Sequence, residues 1–326
     1  VATWSQGAGG PAIGFLPEYD ALPGLGNAAE PRRTARADGV ESGHGCGHNV
    51  LGAGCTGAGM ALKAMMEASG APGTVKVFGC ASEEAHSGKT YLARDGYFEG
   101  LDAALAWHSG PAAGTGLVST TANRALKIEF FGQTAHAGNT PWEGRSALDA
   151  AEIATHAINM MREHVRPTAR LHYIFESAGQ APNIVPDYAR LWLTLREADT
   201  PTVEALVEWT RQIAEGAALA TQTRAETRVF AGCAELIPNR PLAERLLTRM
   251  SEHGLAWSEA EQEFARVCQR EMGLPETGMA TEILPLVPET SIGGSTDVGD
   301  VSWNAPTGVF LWPSLPQGVS LHTWAV

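Results

Sequence analysis

Apolar and polar positions fall into two regimes along the chain, and the change between them sets the expected architecture. Residues 1–17 read as two short extended runs around Gly7 to Pro11, the second being Ala12-Ile13-Gly14-Phe15-Leu16, followed by the acidic turn Glu18-Tyr19-Asp20. Residues 21–47 form a loop rich in Gly, Pro and polar side chains, longer than mere connection needs. Small residues, Leu and Met then recur at helical spacing from Asn49 to Ser69, Gly70 to Gly73 stops the helix, and Thr74 to Cys80 reads as a buried strand. A second helix over Ser87 to Asp95 and a strand over Asp102 to Trp107 continue the alternation, which predicts an open, largely parallel α/β sheet whose ligands lie beyond the carboxyl ends of its strands. The opening strands read as the middle of that sheet. No helix precedes them to cover a face, so the chain is expected to begin inside a longer protein.

Between about Ser119 and Cys233 the order becomes β-α-β-β-α-β: a strand at 125–131, a helix at 145–164, strands at 170–176 and 188–196, a helix at 202–219 and a strand at 223–230. This is the ferredoxin-like order in a segment long enough to be an inserted domain. Two helices follow over 239–272, and Gly293 to Phe310 returns to the glycine-turn and strand character of the first part.

Composition narrows the function classes. In 326 residues, 44% hydrophobic and 18% charged, a formal charge of -13 would repel phosphate backbones, so nucleic-acid binding is excluded. Apolar stretches break well before the roughly 18–20 residues that a bilayer span requires, which excludes a membrane protein. Five cysteines at scattered spacings, with no targeting segment in view, argue for a reducing compartment and hence the cytoplasm.

The strongest local chemistry is Gly43-His44-Gly45-Cys46-Gly47-His48-Asn49. A thiol and an imidazole two residues apart on a glycine-rich loop can face one cation, whereas a tight turn around a buried thiol is the bland alternative. His44 is the weaker ligand candidate beside His48. Glu83 and Glu84 stand between a strand and a helix, where one carboxylate can hold a metal while the other holds a water, or both can simply sit exposed at a helix N-terminus. His108 and His322 are each lone histidines. Placement unites them: Cys46, His48, Glu84 and His108 are all expected in loops after strands, on one sheet edge.

Other signals carry less. Gly52-Ala53-Gly54-Cys55-Thr56-Gly57 matches G-x-G-x-x-G but follows no strand, and is better read as small residues that let a helix pack closely. Gly88-Lys89-Thr90 resembles a P-loop ending, yet the required first glycine falls at Glu83. Met60, Met65 and Met66 read as core, and His86, His156, His164, His172 and His253 as structural or solvated.

Taken together, the run from Gly14 to Leu22, the Gly43 to Asn49 loop, Ser82-Glu83-Glu84 with Ser87 to Thr90, Ala106-Trp107-His108, Thr134-Ala135-His136-Ala137, Gly144 to Ala150, Ser295 to Trp303 and Leu321-His322-Thr323-Trp324 resemble the M20 family of metallopeptidases and amidohydrolases. The resemblance covers nearly the whole chain in order. It implies an α/β fold: a zinc-peptidase-like catalytic domain over 1–118 and 234–326, with an inserted ferredoxin-like (βαββαβ) lid and dimerisation domain over 119–233. It further implies two divalent ions, Mn2+ or Zn2+, held by Cys46, His48, Glu84, His108 and His322. Glu83 would be the general base. His136 would support the tetrahedral intermediate in a neighbouring subunit's site, and Asn183 and Arg196 would contact substrate. The implied activity is hydrolysis of an amide bond to an amino acid, as in p-aminobenzoyl-glutamate, by a homodimer or by a pair with a homologous second subunit. The alternatives are a dipeptidase or N-acyl-amino-acid amidohydrolase of the same family, a cysteine hydrolase using Cys46, and a non-catalytic subunit stabilised by metal. Against the family pattern, an N-terminal helical region and a closing helix after His322 are expected to be missing.

Overall fold

A computed structural model describes all 326 residues, Val1–Val326. In chain order the elements are β1 (Ala2–Gln6), β2 (Ala12–Phe15), α1 (His48–Ser69), β3 (Gly73–Val77), α2 (Glu83–His86), α3 (Gly88–Arg94), β4 (Ala103–Gly110), β5 (Gly114–Ser119), β6 (Ala122–Phe131), α4 (Ala147–Met161), β7 (Arg170–Ser177), β8 (Tyr188–Glu197), α5 (Thr200–Thr221), β9 (Arg224–Cys233), α6 (Arg240–His253), α7 (Glu259–Glu271), β10 (Val287–Ser291), α8 (Val298–Ser302) and β11 (Thr307–Pro313). They gather into two compact units. The first comprises Val1–Ser119, Leu236–Thr290 and Asp297–Val326, the second Thr120–Glu235 and Ser291–Thr296. The short stretch Ser291–Thr296 thus groups with the second unit, where the sequence pattern alone leaves it in the last segment.

The first unit is built on a seven-stranded sheet of order β1-β3-β2-β4-β11-β5-β10. The four consecutive strands β3, β2, β4 and β11 are parallel, and apolar clusters cover both faces, as parallel strands require. One cluster joins Phe15, Cys55, Leu51, Met66 and Val75 beneath α1; the other joins Leu16, Phe78, Phe98, Leu101, Ala104, Ala106, Val298 and Val301. One expectation is corrected here. β1 is an edge strand antiparallel to β3, not the middle of the sheet, whereas β2 does lie inside it; β5 runs antiparallel to β11 beside the parallel strands. The alternation of apolar residues that marks a strand carries no information on direction, which the connections decide.

α1 lies close to the sheet because its inner face is small. A methyl group at Gly59 would come within 2.6 Å of Val77 Cγ2, and one at Gly52 within 2.7 Å of the Glu18 carbonyl oxygen. Met60 and Met65 depart from expectation: both are exposed, on the outer face of α1, while Met66 is buried. No helix of the molecule is long and apolar enough to cross a membrane.

The second unit is a four-stranded antiparallel sheet of order β7-β8-β6-β9. Leu126, Ile128 and Phe130 on β6, and Leu191, Leu193 and Leu195 on β8, point to one face with period two and meet Ala150, Ala154, Ile158, Val203, Val207 and Ala214 from α4 and α5. Side-chain caps start both helices: Ser146 accepts the Asp149 N–H and Asp199 accepts the Thr202 N–H. The β-α-β-β-α-β order and this strand order are those of a ferredoxin-like unit.

Candidate metal centre

The centre lies within the first unit and begins at the turn before α1. Gly47 has φ 74, a left-handed conformation that glycine adopts without strain, and a methyl group there would strike Ser109 Oγ at 2.0 Å. That turn buries Cys46 and starts α1 at His48, which is fully buried. His108 comes from within β4, with Nδ1 against the Ser109 carbonyl oxygen at 2.8 Å and Nε2 3.5 Å from Cys46 Sγ. A carbonyl on Nδ1 assigns the hydrogen to that nitrogen and turns the Nε2 lone pair toward Cys46, the orientation metal-ligating histidines use.

The carboxylates enter on α2, a single turn held between two left-handed serines, Ser82 at φ 59 and Ser87 at φ 53. Glu84 Oε1 lies 3.2 Å from His322 Nε2. His322 itself has φ 63, and its N–H donates to the Gly45 carbonyl at 2.6 Å, which docks the end of the chain onto the loop that carries Cys46.

Six residues singled out in the sequence are therefore brought together. Three sets of donor atoms each lie within 4.8 Å of one another: Cys46, His48 and His108; Cys46, Glu84 and His322; and His48, Glu83 and Glu84. One expectation is corrected. His48 is the first residue of α1, Glu84 lies in α2 and His108 in β4, so the cluster is not confined to loops. A ligand needs only a side chain directed at the centre, and element ends and strand interiors supply that as well as loops do.

Aspartate 20, which the sequence marks only as part of a motif, organises two of these residues. Its Oδ1 meets His48 Nδ1 at 3.0 Å and its Oδ2 accepts the Glu84 N–H at 3.1 Å. Burial alone would raise Asp20, but the bonds from His48 and Glu84 and the His48 charge hold it down at about 2. A second buried network stands alongside. Lys89 Nζ lies 2.5 Å from both Glu18 Oε1 and Asp297 Oδ1, the Lys89 N–H donates to Asp297 Oδ2, and Glu18 Oε2 stands 3.3 Å from His48 Nε2. Burial opposes the ammonium charge, yet the two carboxylates keep Lys89 protonated. Glu83 shares this corner, its carboxylate oxygen lying within 4.8 Å of those of Glu18 and Asp297. Burial, then the charges of Glu18 and Asp297, push it up to about 8.

The donors fit divalent cations. His48 Nε2 and Glu84 Oε1 are buried and make no well-formed hydrogen bond, although Glu18 Oε2 and His322 Nε2 stand 3.3 and 3.2 Å away, and a bound cation would satisfy both donors. Thiolate, imidazole and carboxylate together suit zinc or manganese. With no cation beside it, the Cys46 thiol is pushed well upward, by burial and then by the Glu84 charge; a cation held there would favour the thiolate.

The remaining candidates, His136, Asn183 and Arg196, belong to the second unit. His136 and Asn183 are backbone neighbours, since the Ala137 N–H donates to the Asn183 carbonyl and His136 pairs with Ile184. Arg196 lies on β8 and donates from Nη1 to Ser295 Oγ at 2.6 Å. The signal for Glu18, Lys89 and Asp297 in the sequence is only their membership of motif blocks, because nothing local pairs residues so far apart.

Comparison with known proteins agrees with this picture. Residues 121–222 match the M20 peptidase dimerisation domain. The chain is 38% identical over 348 aligned residues to one of the subunits of p-aminobenzoyl-glutamate hydrolase from Escherichia coli, covering 98% of this chain and 72% of that protein. It is 33% identical to the Xaa-Arg dipeptidase of Mus musculus, over 68% of this chain and 48% of that one. Among solved structures, a dinuclear metal binding peptidase of Bacillus subtilis superposes with a TM-score of 0.62 at 17% identity, over 99% of this chain and 77% of that one, which bears on the fold.

Proposed function

Because the chain belongs to the M20 family of metal-dependent peptidases and amidohydrolases, we propose that it hydrolyses the amide bond joining an acyl group to the nitrogen of an amino acid, with p-aminobenzoyl-glutamate as the first substrate to test. The observation that carries the reading is the sharing of Cys46 between two donor sets, with Glu83 standing beside the ligands. Two ions, Mn2+ or Zn2+, would be held by Cys46, His48, Glu84, His108 and His322. When bound, such ions supply Lewis acidity toward a carbonyl oxygen and lower the pKa of water.

The chain's own residues do the rest. Glu83 takes a proton from the attacking water and passes it to the leaving amine, in the role of general base and then general acid. Asp20 orients His48 through Nδ1 and fixes the backbone of Glu84, so the centre keeps its shape as charge moves. By the family resemblance, His136 would donate a hydrogen bond to the oxyanion in a neighbouring subunit's site, Arg196 would clamp the substrate's carboxylate and Asn183 would contact substrate.

The match to a dimerisation domain supports a homodimer through the second unit, and the naming of the E. coli relative as a subunit supports a homologous partner as the alternative. Five free cysteines support a reducing, cytoplasmic setting. The likeness to Xaa-Arg dipeptidase favours a second reading, cleavage of dipeptides by the same centre.

The test is release of p-aminobenzoate from p-aminobenzoyl-glutamate by the purified, Mn2+-loaded protein, beside an Xaa-Arg dipeptide and a chelated control. Cleavage that disappears on chelation and returns with Mn2+ is the expected result. Cleavage that survives chelation would overturn the metal assignment; two ions bound without cleavage of p-aminobenzoyl-glutamate would overturn the substrate.

A further inference from the structure

In the second unit, the turn after β6 wraps its own backbone around the His136 ring. Nδ1 receives two main-chain N–H groups, from Gly138 at 3.2 Å and from Asn139 at 3.1 Å. The Asn139 N–H is shared, donating also to the His136 carbonyl at 3.1 Å, and the Thr140 N–H donates to that carbonyl at 3.0 Å, which closes the turn. Behind it, the Ala137 N–H donates to the Asn183 carbonyl at 3.1 Å and His136 pairs with Ile184, so the turn is tied to the neighbouring segment. The imidazole is left exposed on this support.

A neutral imidazole has one N–H and one lone-pair nitrogen, and its partners decide which is which. A nitrogen faced by two N–H donors must offer its lone pair, because a hydrogen of its own would point into both. We infer that the backbone amides of Gly138 and Asn139 are positioning groups that fix His136 as the neutral Nε2–H tautomer, so that it presents one uncharged donor, at Nε2, to the carbonyl oxygen of the amide substrate. The encounter with substrate rests on the proposed function; the tautomer rests on the turn alone. The arrangement aims a hydrogen bond at the oxyanion without the charge of an imidazolium, and leaves no proton at Nδ1 to compete with it.

The experiment is nitrogen-15 NMR of the histidine rings in the metal-loaded protein at neutral pH, with His136 assigned by the loss of its signals in His136→Gln. An acceptor-type Nδ1 resonance with a protonated Nε2 is expected. A protonated Nδ1, or one averaged shift for both nitrogens, would overturn the inference. Asn139→Pro removes one of the two donors to Nδ1 together with one of the two bonds that close the turn, and the two resonances are then expected to move toward each other; unchanged resonances would show that the turn does not hold the tautomer. Kinetics supply the second readout. Gln places its amide nitrogen near Nε2 and Asn places its own near Nδ1, so His136→Asn is expected to lose kcat by about 100- to 1,000-fold, as for a lost oxyanion donor, with His136→Gln retaining more and KM little changed in both. Equal loss in Gln and Asn would overturn the Nε2 donor. An Nε2–H tautomer combined with full activity in His136→Ala would uphold the tautomer and instead remove His136 from the proposed reaction.

Discussion

The interiors of the two units are built on different terms. That of the second unit is apolar, with Leu126, Ile128, Phe130, Leu191 and Ile158 closed against alanines of α4 and α5. Its buried carboxylate, Glu197, accepts hydrogen bonds from the Thr168 hydroxyl, 29 residues away in the same unit, and from the adjacent Ala198 N–H. The first unit instead buries Lys89, Glu18, Asp297 and His48 beside its apolar clusters, and Lys89 finds its two carboxylates 71 and 208 residues away. A buried charge satisfied by its own neighbourhood serves the fold. One satisfied from remote segments holds those segments in a fixed relation, which a catalytic centre needs and a scaffold does not.

The sharpest test of this contrast is at the centre. Glu83→Gln is expected to lower kcat by about 100- to 10,000-fold while two ions remain bound, checked by steady-state kinetics beside metal analysis. Near-full turnover would remove Glu83 from the reaction, and loss of metal would make it a ligand instead. Next in size is Lys89→Met, which strands Glu18 and Asp297 as buried carboxylates without their shared cation. It is expected to cost about 3–5 kcal/mol in denaturant unfolding of the first unit, and an unchanged midpoint would show that the network is dispensable. The smallest effect belongs to the apolar interior. Ile158→Val is expected to cost about 0.5–1.5 kcal/mol in the second unit and to leave metal stoichiometry and kcat as they were. A change in metal content there would break the comparison, since no proposed ligand lies in that unit.

Much of the apolar architecture is legible in the residue pattern, because it depends on local periods. α1, α4 and α5 and the strands of the second unit follow from spacings of 3.6 and 2. β5, β10 and α2 do not: β10 is a mostly exposed edge strand without alternation, and α2 is a single turn bounded by strained serines rather than by a pattern. The candidate site divides in the same way. Cys46 and His48 announce themselves by adjacency, and the glutamate pair by its place after a strand. Asp20 and Lys89 gain meaning only when the fold sets them against His48 and Asp297, pairings that no local window contains. The family resemblance supplies the idea of a shared centre, whereas the supporting bonds of Asp20 come from the geometry.

The Lys89 to Asp297 link spans 208 residues, and His322 reaches back to Gly45 across a still longer stretch. During synthesis, residues 46–108 leave the ribosome before the second unit and bring two three-donor sets, Cys46, His48 and His108 and also His48, Glu83 and Glu84. The counter-ion Asp297 and the proposed ligand His322 emerge only after the whole second unit has been made. The residues of the centre therefore become available in order: two donor sets are complete in sequence on the nascent chain, while the set that needs His322 must wait for translation to reach it.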